Sequence, residues 1–213
     1  SIYKILFGLI VFVIFFFRPV SLAYEQKDKF FAKGYQAQYE NYKRAYYSSQ
    51  YVIKKNPSII PDEVFEAFAG GVFLKGLNPI LITHDHPPLG RYIISLSILL
   101  FDNSHTIVLP LLLLAICGIF LIGYEIFGNI ILSLIPVGIF INEPLFMDKI
   151  IYTPLPEPIQ LPFILFSFYF FIRAIKSKKY IYWYITTSIM IGVVISTRFF
   201  ITGFVIAFSM TVF

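Results

Sequence analysis

Charged residues, cysteine and tryptophan are scarce in this sequence. Of its 213 residues only 14% are charged, and it has one cysteine and one tryptophan. A soluble domain carries about 25% charged residues, so the composition argues against an ordinary water-soluble protein. The lone Cys117 cannot form an internal disulfide. The sequence also has no phosphate-binding Gly-rich loop, no cysteine cluster and no nucleophile elbow, and these motifs would mark several common enzyme classes.

Apolar residues dominate instead. The chain is 58% hydrophobic and 19% aromatic, and such a composition is typical of a protein whose side chains face lipid. We therefore predict an all-α, polytopic bundle of membrane helices. The net charge of +5 is assigned to loops that face anionic lipid head groups rather than to nucleic-acid binding.

The apolar runs locate the expected helices. They are Ile5–Phe17, Leu89–Phe101, Ile107–Tyr124, Ile130–Phe146, Ile159–Ile172, Tyr180–Ile195 and Phe199–Phe213. The first run could be a membrane helix or the core of a signal peptide, since "VSLA" follows it. The second is short for a crossing of about 20 residues, so we expect it to dip and return. Position 1 is not Met and the last run is open-ended, so we expect a fragment of a longer protein.

A basic loop sets the expected orientation. The segment "RAIKSKK" at 173–179 has four positive charges and is assigned to the cytoplasm. Alternation of the spans then places residues 19–88 and 143–158 on the outer face. The Tyr-rich part of this long first loop predicts amphipathic helices at the membrane interface. Its lysines and arginines favour the opposite side, but that rule weakens for loops beyond about 60 residues.

Ionisable residues concentrate in the stretch 61–93, "PDEVFEAFAGGVFLKGLNPILITHDHPPLGRYI". Two acidic clusters are expected on the outer face, namely Asp62, Glu63, Glu66 and Asp85, and Glu143, Asp148 and Glu157. Carboxylates beside a bilayer are costly unless they have a function or partners. Asp62 could simply cap a helix. The His84, Asp85 and His86 side chains could ligate a divalent metal, although the pattern requires no cofactor.

Two motifs carry a family resemblance. The "DE" of Asp62 and Glu63 is followed, 24 residues after Asp62, by His86 of "HPPLG", and Arg91 comes next. This arrangement resembles the GT-C class of membrane glycosyltransferases, nearest to the dolichyl-phosphate-mannose protein mannosyltransferases and the bacterial aminoarabinose transferases. "PEPIQLPFILFSFYFFIRA" resembles the family's acidic residue before its next helix. The resemblance extends from the first helix to about residue 175, with Arg91 where the family usually has Lys.

The resemblance implies a function and a set of roles. Residues 1–213 would form the N-terminal part of one GT-C domain in a prokaryotic plasma membrane or the ER membrane. The enzyme would move a hexose or pentose from a polyprenyl-phosphate donor to a hydroxyl of a protein, lipid or glycan acceptor at the outer or luminal face, with inversion. Asp62, with Glu63, would be the catalytic base or orient the acceptor.

Other residues would serve the donor phosphate. Basic side chains that donate to a leaving phosphate stabilise its developing charge, and this role falls on His86, Arg91 and Arg198. Asp148 or Glu157 would be the second acid of the site, and Glu157 has the better spacing to the following helix.

Two other functions compete with this interpretation. A transporter would explain charges near the membrane and proline-broken helices. It also predicts inverted repeats and polar residues at mid-span, and neither occurs in spans made almost only of Ile, Leu, Phe and Val. A non-catalytic membrane scaffold would use Asp62 as a helix cap and "HPPLG" as a turn.

Overall fold

A computed structural model describes residues 13, 16–78, 81–82, 87–198 and 200–212 of the chain. Residues 16–25 are helical. The helices that follow are α1 Lys27–Phe31, α2 Tyr35–Tyr47, α3 Asp62–Leu74, α4 Leu89–Phe101, α5 Val108–Phe127, α6 Ile130–Asn142, α7 Pro144–Ile151, α8 Pro156–Lys176, α9 Tyr180–Thr197 and α10 Phe200–Val212.

Among the residues that the structure describes, three helices are long and apolar enough to span a membrane, namely α5, α8 and α9. The pair formed by α6 and α7 is bent by 57° and could form a fourth, broken span. Helix α4, with 13 residues, is shorter than a crossing requires. The prediction of an all-α, polytopic integral membrane protein is confirmed.

The bend between α6 and α7 has a local cause. Glu143 lies in extended backbone between the two helices, and its carboxylate accepts a hydrogen bond from the Phe146 N–H at 3.2 Å. Pro144 occupies the first turn of α7, where proline is well tolerated. The single helix predicted over Ile130–Phe146 is therefore wrong at this point, because Glu143 ends one helix and caps the next.

The long helices pack closely. Helices α8 and α9 form a hairpin, and α5 packs against α8 and α6. Gly118 of α5 faces Leu165 of α8, where a methyl group would lie only 2.9 Å from the Leu165 Cβ. Such small residues let helix backbones approach each other in membranes.

The first loop folds into a separate helical layer, with α2 packed on α3 and α3 packed on α4. The Tyr35 hydroxyl donates to the Ala67 carbonyl at 2.6 Å, and the rings of Tyr46 and Phe68 stack at 4.6 Å. Helices α1 and α2 confirm that much of the Tyr-rich segment is helical, whereas residues 48–55 form turns and irregular structure. Its tyrosines on one face are buried against α3, and the opposite face is exposed.

Helix α4 begins and ends at the same end of the bundle. At its start, Gly90 contacts Pro156 and Thr197, which belong to the beginning of α8 and the end of α9. Beyond its last turn, the His105 side chain lies close to the backbone of Thr153, three residues before Pro156. This arrangement agrees with the expectation that Leu89–Phe101 does not cross the membrane.

Candidate active site

The site begins at the first residue of α3. Asp62 is exposed, and the position before it is occupied by Pro61 in extended backbone, with no side-chain cap. The capping role considered for Asp62 is therefore wrong for this helix. Its carboxylate instead accepts a hydrogen bond from the Tyr51 hydroxyl at 2.9 Å. Partial burial and this hydrogen bond raise the pKa of Tyr51 to about 12, so the phenol stays a proton donor at neutral pH.

One turn further along α3, Glu66 forms a buried ion pair with Arg91. Residues four apart lie on the same helix face, so Glu66 follows Asp62 toward the site. Its two oxygens accept hydrogen bonds from Nε and Nη2 of Arg91, both at 3.0 Å. Arg91 is only 2% exposed, and its guanidinium lies 5.3 Å from the centre of the Phe65 ring. This two-pronged geometry fixes the start of α4 against α3.

Part of this pair is left without a protein partner. Nη1 of Arg91 is buried and makes no hydrogen bond. Burial raises the pKa of Glu66, whereas the charge and hydrogen bonds of Arg91 and the charge of Arg198 oppose that rise. The charge of Asp62 raises it further, so these four ionisable groups form one electrostatic cluster.

A second ion pair joins the start of α8 to the end of α9. Glu157 contacts Arg198 directly, and Lys149 of α7 lies 3.9 Å from the same carboxylate oxygen. The other oxygen of Glu157 is buried and has no partner. Burial lowers the pKa of Arg198, and the nearby carboxylates of Glu66 and Asp62 raise it. Arg198 therefore links the acids of α3 to Glu157.

A glycine permits this convergence. A Cβ on Gly90 would lie 3.1 Å from the Thr197 carbonyl oxygen and 3.4 Å from the Pro156 side chain. A side chain there would push α4 away from α8 and α9. Gly90 thus holds Arg91 within the same cluster as Glu157 and Arg198.

The structure brings several predicted residues together. Asp62, Arg91, Glu157 and Arg198 all lie at this end of the bundle, and we call them, with Glu66 and Lys149, the acid–base cluster. The structure places two other predicted residues elsewhere. Glu63 lies near α1, where its charge raises the pKa of Lys29 against the effect of burial.

Asp148 lies in a different place from Glu157. It lines a groove of about 530 Å³ together with Arg18 and Glu25 of the helical residues 16–25. His84, Asp85 and His86 lie outside the described residues, so a metal site at these residues stays a prediction. Among the described residues, no three His, Cys, Asp or Glu side chains are placed to hold a metal ion.

From the sequence alone, Glu66 is only one member of an acidic cluster, and Lys149 and Tyr51 have no predicted role. Glu66 carried a usable signal, because it is an acid inside the apolar stretch "VFEAFAGG" and follows Asp62 by four residues. Tyr51 is one of many tyrosines in the first loop, and no sequence pattern distinguishes it. Lys149 is the only basic residue between Asp148 and Glu157, and its contact with Glu157 depends on how residues 152–155 connect α7 to α8.

Fold and site together define a multi-pass helical membrane protein with a cluster of acids and bases at one end of its bundle. The family model described as dolichyl-phosphate-mannose-protein mannosyltransferase matches residues 85–213, which is more than half of the chain. The protein belongs to this family, and the sequence resemblance is confirmed. It is a membrane glycosyltransferase of the GT-C type.

The matched region sets limits on what the family contributes. It includes Arg91, Glu157 and Arg198, whereas Asp62 and Glu66 precede it. The assignment of the α3 acids to the site therefore depends on the geometry described above and on the sequence motif. Comparisons with curated proteins and with solved structures gave no match.

Proposed function

We propose that the protein transfers a sugar from a polyprenyl-phosphate donor to an acceptor hydroxyl at the end of the bundle that carries the acid–base cluster. One observation supports this most strongly. The carboxylates of Glu66 and Asp62 on α3 raise the pKa of Arg198 at the end of α9, so the acids and the cation belong to one site. A general base and a phosphate-binding cation are the two groups that this reaction needs, and both are near the end of a membrane helix.

Asp62 is the proposed base. As the acceptor oxygen attacks the anomeric carbon, its proton passes to the Asp62 carboxylate, and the bond from that carbon to the phosphate oxygen breaks. A well-placed general base contributes about 10² to 10⁴ in rate. Asp62 is exposed, as a group that meets an incoming acceptor must be, and Tyr51 orients it through the hydrogen bond from its hydroxyl. Attack on the face opposite the leaving phosphate inverts the anomeric centre.

Arg198 is the proposed contact for the leaving phosphate. Its side chain is 24% exposed, whereas Arg91 is 2% exposed and is held by Glu66. A guanidinium can donate two parallel hydrogen bonds to a phosphate. In this proposal Glu157 holds Arg198 in place, Lys149 adds positive charge beside it, and Arg91 acts through Glu66 as a positioning residue. His86 would add a donor from the segment before α4.

The acid–base cluster would face the outside of the cell or the lumen of the ER. The basic residues Arg173 and Lys176 lie at the other end of α8, and an excess of positive charge in a short loop is typical of the cytoplasmic side. The acceptor is then a hydroxyl of a protein, lipid or glycan that reaches the outer face.

Transfer from a lipid-linked sugar tests this proposal directly. The full-length protein, purified in detergent, is incubated with labelled polyprenyl-phosphate-mannose or polyprenyl-phosphate-aminoarabinose and a membrane extract as the source of acceptors. We expect transfer from at least one of these donors, and an inverted anomeric configuration in the product by NMR. Transfer from a nucleotide sugar alone, or retention of configuration, would contradict the proposal.

A matched pair of variants tests the phosphate contact. Arg198→Gln should raise KM for the lipid donor because a phosphate ligand is lost, whereas Arg173→Gln at the far end of α8 should leave KM unchanged. Equal effects of the two variants would exclude Arg198 as the phosphate contact.

A further inference from the structure

A basic patch lies at the end of the bundle away from the acid–base cluster, where α8 connects to α9. Its positive side chains are Arg173, Lys176, Lys178 and Lys179. Among the described residues, Glu125 is the only acid that pairs with this patch, and it binds Arg173 and Lys176. Residues 158–213 contain no Asp or Glu. The patch therefore keeps an excess of positive charge, which the proposed transfer reaction does not use.

Lys178 and Lys179 carry the charge that Glu125 does not neutralise. Both side chains are exposed. They border an open depression of about 500 Å³, whose other lining residues are Tyr180, Ile181, Tyr182 and Trp183. Since two ammonium groups and no carboxylate line this depression, it favours a ligand with negative charge.

An apolar groove along α9 continues from the depression. The two share Tyr180 and Ile181, and the groove has a volume of about 490 Å³. Its further lining residues are Tyr184, Ile185, Ser188 and Ile189. Residues four apart lie on the same helix face, so this lining forms two adjacent rows along α9. From Tyr180 to Ile189 the groove is about 14 Å long, close to half of the roughly 30 Å hydrocarbon core of a bilayer.

The groove lies on an exposed face of a helix that is fixed by its other contacts. Ile181 and Ile185 are 61% and 56% exposed, so no described helix fills the groove. On the side that faces α8, the ring of Trp183 stacks on Phe170 at 5.7 Å, and the guanidinium of Arg173 lies 5.2 Å from the centre of the Trp183 ring. These contacts hold the start of α9, and with it the depression and the groove, in one arrangement.

The depression and the groove offer complementary surfaces to the two parts of a phospholipid. A negative head group fits beside Lys178 and Lys179, and an acyl chain fits along the isoleucine row. Tyr180 and Tyr182 lie at the junction, and tyrosine is enriched where membrane helices meet the head groups. Lysine clusters next to a membrane helix attract anionic lipids. A soluble anion would use only the depression, and a lipid without net charge would use only the groove.

We propose that the depression at Lys178 and Lys179 and the groove along α9 together bind one anionic glycerophospholipid of the surrounding bilayer. This site is separate from the proposed contact for the sugar donor. Helix α9 has 18 residues, or about 27 Å, and this length separates Tyr180 from Arg198. The proposal depends on charge and shape at this end of the bundle and is independent of the proposed transfer reaction.

Native mass spectrometry of the full-length protein in detergent tests the proposal. The probes are phosphatidylglycerol and phosphatidylcholine with identical acyl chains, and glycerol phosphate as a competitor without acyl chains. We expect phosphatidylglycerol to bind at least about fivefold more tightly than phosphatidylcholine, since one lysine beside an anionic head group contributes about that factor. Glycerol phosphate at equal concentration should not displace it.

Three outcomes of this measurement would overturn the proposal. Equal affinity for the two lipids would show that the lysines select no head group. Displacement of phosphatidylglycerol by equimolar glycerol phosphate would show that the groove takes no part. No bound lipid at all would show that protein rather than lipid covers this face of α9.

A matched pair of double variants locates the head group. Lys178→Gln with Lys179→Gln should weaken phosphatidylglycerol binding by about tenfold to thirtyfold and leave phosphatidylcholine binding unchanged. The control is Lys54→Gln with Lys55→Gln, which removes the same charge from two adjacent exposed lysines in the loop before α3. Equal losses in the two double variants, or no loss in the first, would contradict the proposed site.

A variant of the groove covers the case in which the lysine variant does not fold. Ile185→Trp places an indole where the acyl chain would lie, and it should weaken binding of both lipids by at least about fivefold because apolar contact with the chain is lost. The control is Ile139→Trp on α6, at a side chain that is likewise exposed. Full phosphatidylglycerol affinity in Ile185→Trp would place the lipid elsewhere and contradict the proposal.

Discussion

The two ends of the helix bundle both pair acids with bases, but they do so in different surroundings. At one end, Glu66 and Arg91 are buried. At the other end, Glu125 of α5 binds Arg173 of α8 at 2.9 Å, and the Arg173 side chain is 41% exposed. Sixteen residues separate Glu157 from Arg173 along α8, or about 24 Å of helix. That distance is near the roughly 30 Å of a bilayer's hydrocarbon core.

The two ends differ in kind: the acid–base cluster has the features of a functional site, whereas the Glu125–Arg173 pair only holds neighbouring helices together. Exposed ion pairs contribute about 0–1 kcal/mol, and the Glu125 pair joins two neighbouring helices beside a lysine-rich loop, where head groups would also satisfy it. The acid–base cluster instead draws residues from α3, α4, α7, α8 and the end of α9, and both side chains of its Glu66–Arg91 pair are buried, at 7% and 2% exposed. Such an arrangement reduces the stability of the fold, and a catalytic function is the simplest explanation for it.

The largest expected difference between the two ends is the side of the membrane that each one faces. We predict that a cysteine at Gln36 is labelled by a membrane-impermeant reagent in intact cells, and that one at Lys178 is not, in a Cys117→Ser background. Both positions are exposed. Permeabilised cells, in which both should react, are the control. Labelling at Lys178 but not at Gln36 would reverse the proposed orientation.

Next in size is the effect of breaking each ion pair. Glu66→Ala should destabilise the protein by about 3–5 kcal/mol, because it leaves the Arg91 charge buried and unpaired. Arg173→Ala at the other end should cost less than about 1 kcal/mol. Thermal unfolding in detergent compares the two. The double variant Glu66→Leu with Arg91→Met should recover much of the lost stability, and similar losses in the two single variants would remove the distinction between the ends.

Stability near the acid–base cluster should also depend on pH through His105. Burial and the charge of Lys29 lower the pKa of His105 to about 4 from its usual value of 6.5, and the charged side chains of Asp28, Lys33 and Asp102 line the same small cavity as His105. Between these two pKa values the unfolded chain binds a proton that the folded chain does not, so stability falls as the pH drops. A shift of this size corresponds to about 3 kcal/mol.

The variant His105→Gln isolates this effect from the titration of carboxylates. Its stability between pH 7 and pH 4 should fall less than that of the unchanged protein, when both are measured by Tm in the same buffers. Identical pH profiles would show that His105 is not held neutral by the fold.

A smaller difference is expected between Glu157 and Asp148 in how far their substitution reduces sugar transfer. Glu157→Gln weakens the anchor of Arg198, and we expect it to reduce transfer by about tenfold, the equivalent of 1.4 kcal/mol. Asp148→Asn, in the groove beside residues 16–25, should change transfer by less than about threefold. Transfer of labelled sugar under single-turnover conditions ranks the two, and the reverse ranking would move the second acid to Asp148.

Hydropathy predicted the long helices well, because a run of apolar residues in a membrane has few alternatives to a helix. Helices α5, α8 and α9 were expected within a few residues of their bounds. The break at Glu143 was not, because a carboxylate that caps α7 looks in sequence like any other acid at the end of an apolar run.

The acid–base cluster was predictable only in part. The motifs indicated Asp62, Arg91, Glu157 and Arg198 as candidates, but the sequence could not show that Arg91 is bound by Glu66. That pair joins residues 25 apart on two helices, and only tertiary packing at Gly90 and Gly70 brings them together. Likewise, no sequence pattern shows that Lys149, rather than the adjacent Asp148, contacts Glu157.

Asp62 is the proposed general base of the transfer reaction, and one substitution tests this role most directly. Asp62→Asn keeps the size of the side chain and can still accept the hydrogen bond from Tyr51, but it removes the charge that takes the proton. The measurement is the rate of sugar transfer from a polyprenyl-phosphate donor by the full-length protein in detergent, with donor binding and Tm as controls for folding. We expect a fall of at least about 10² in turnover with donor binding and Tm unchanged. Near-normal transfer by the Asp62→Asn variant would contradict it.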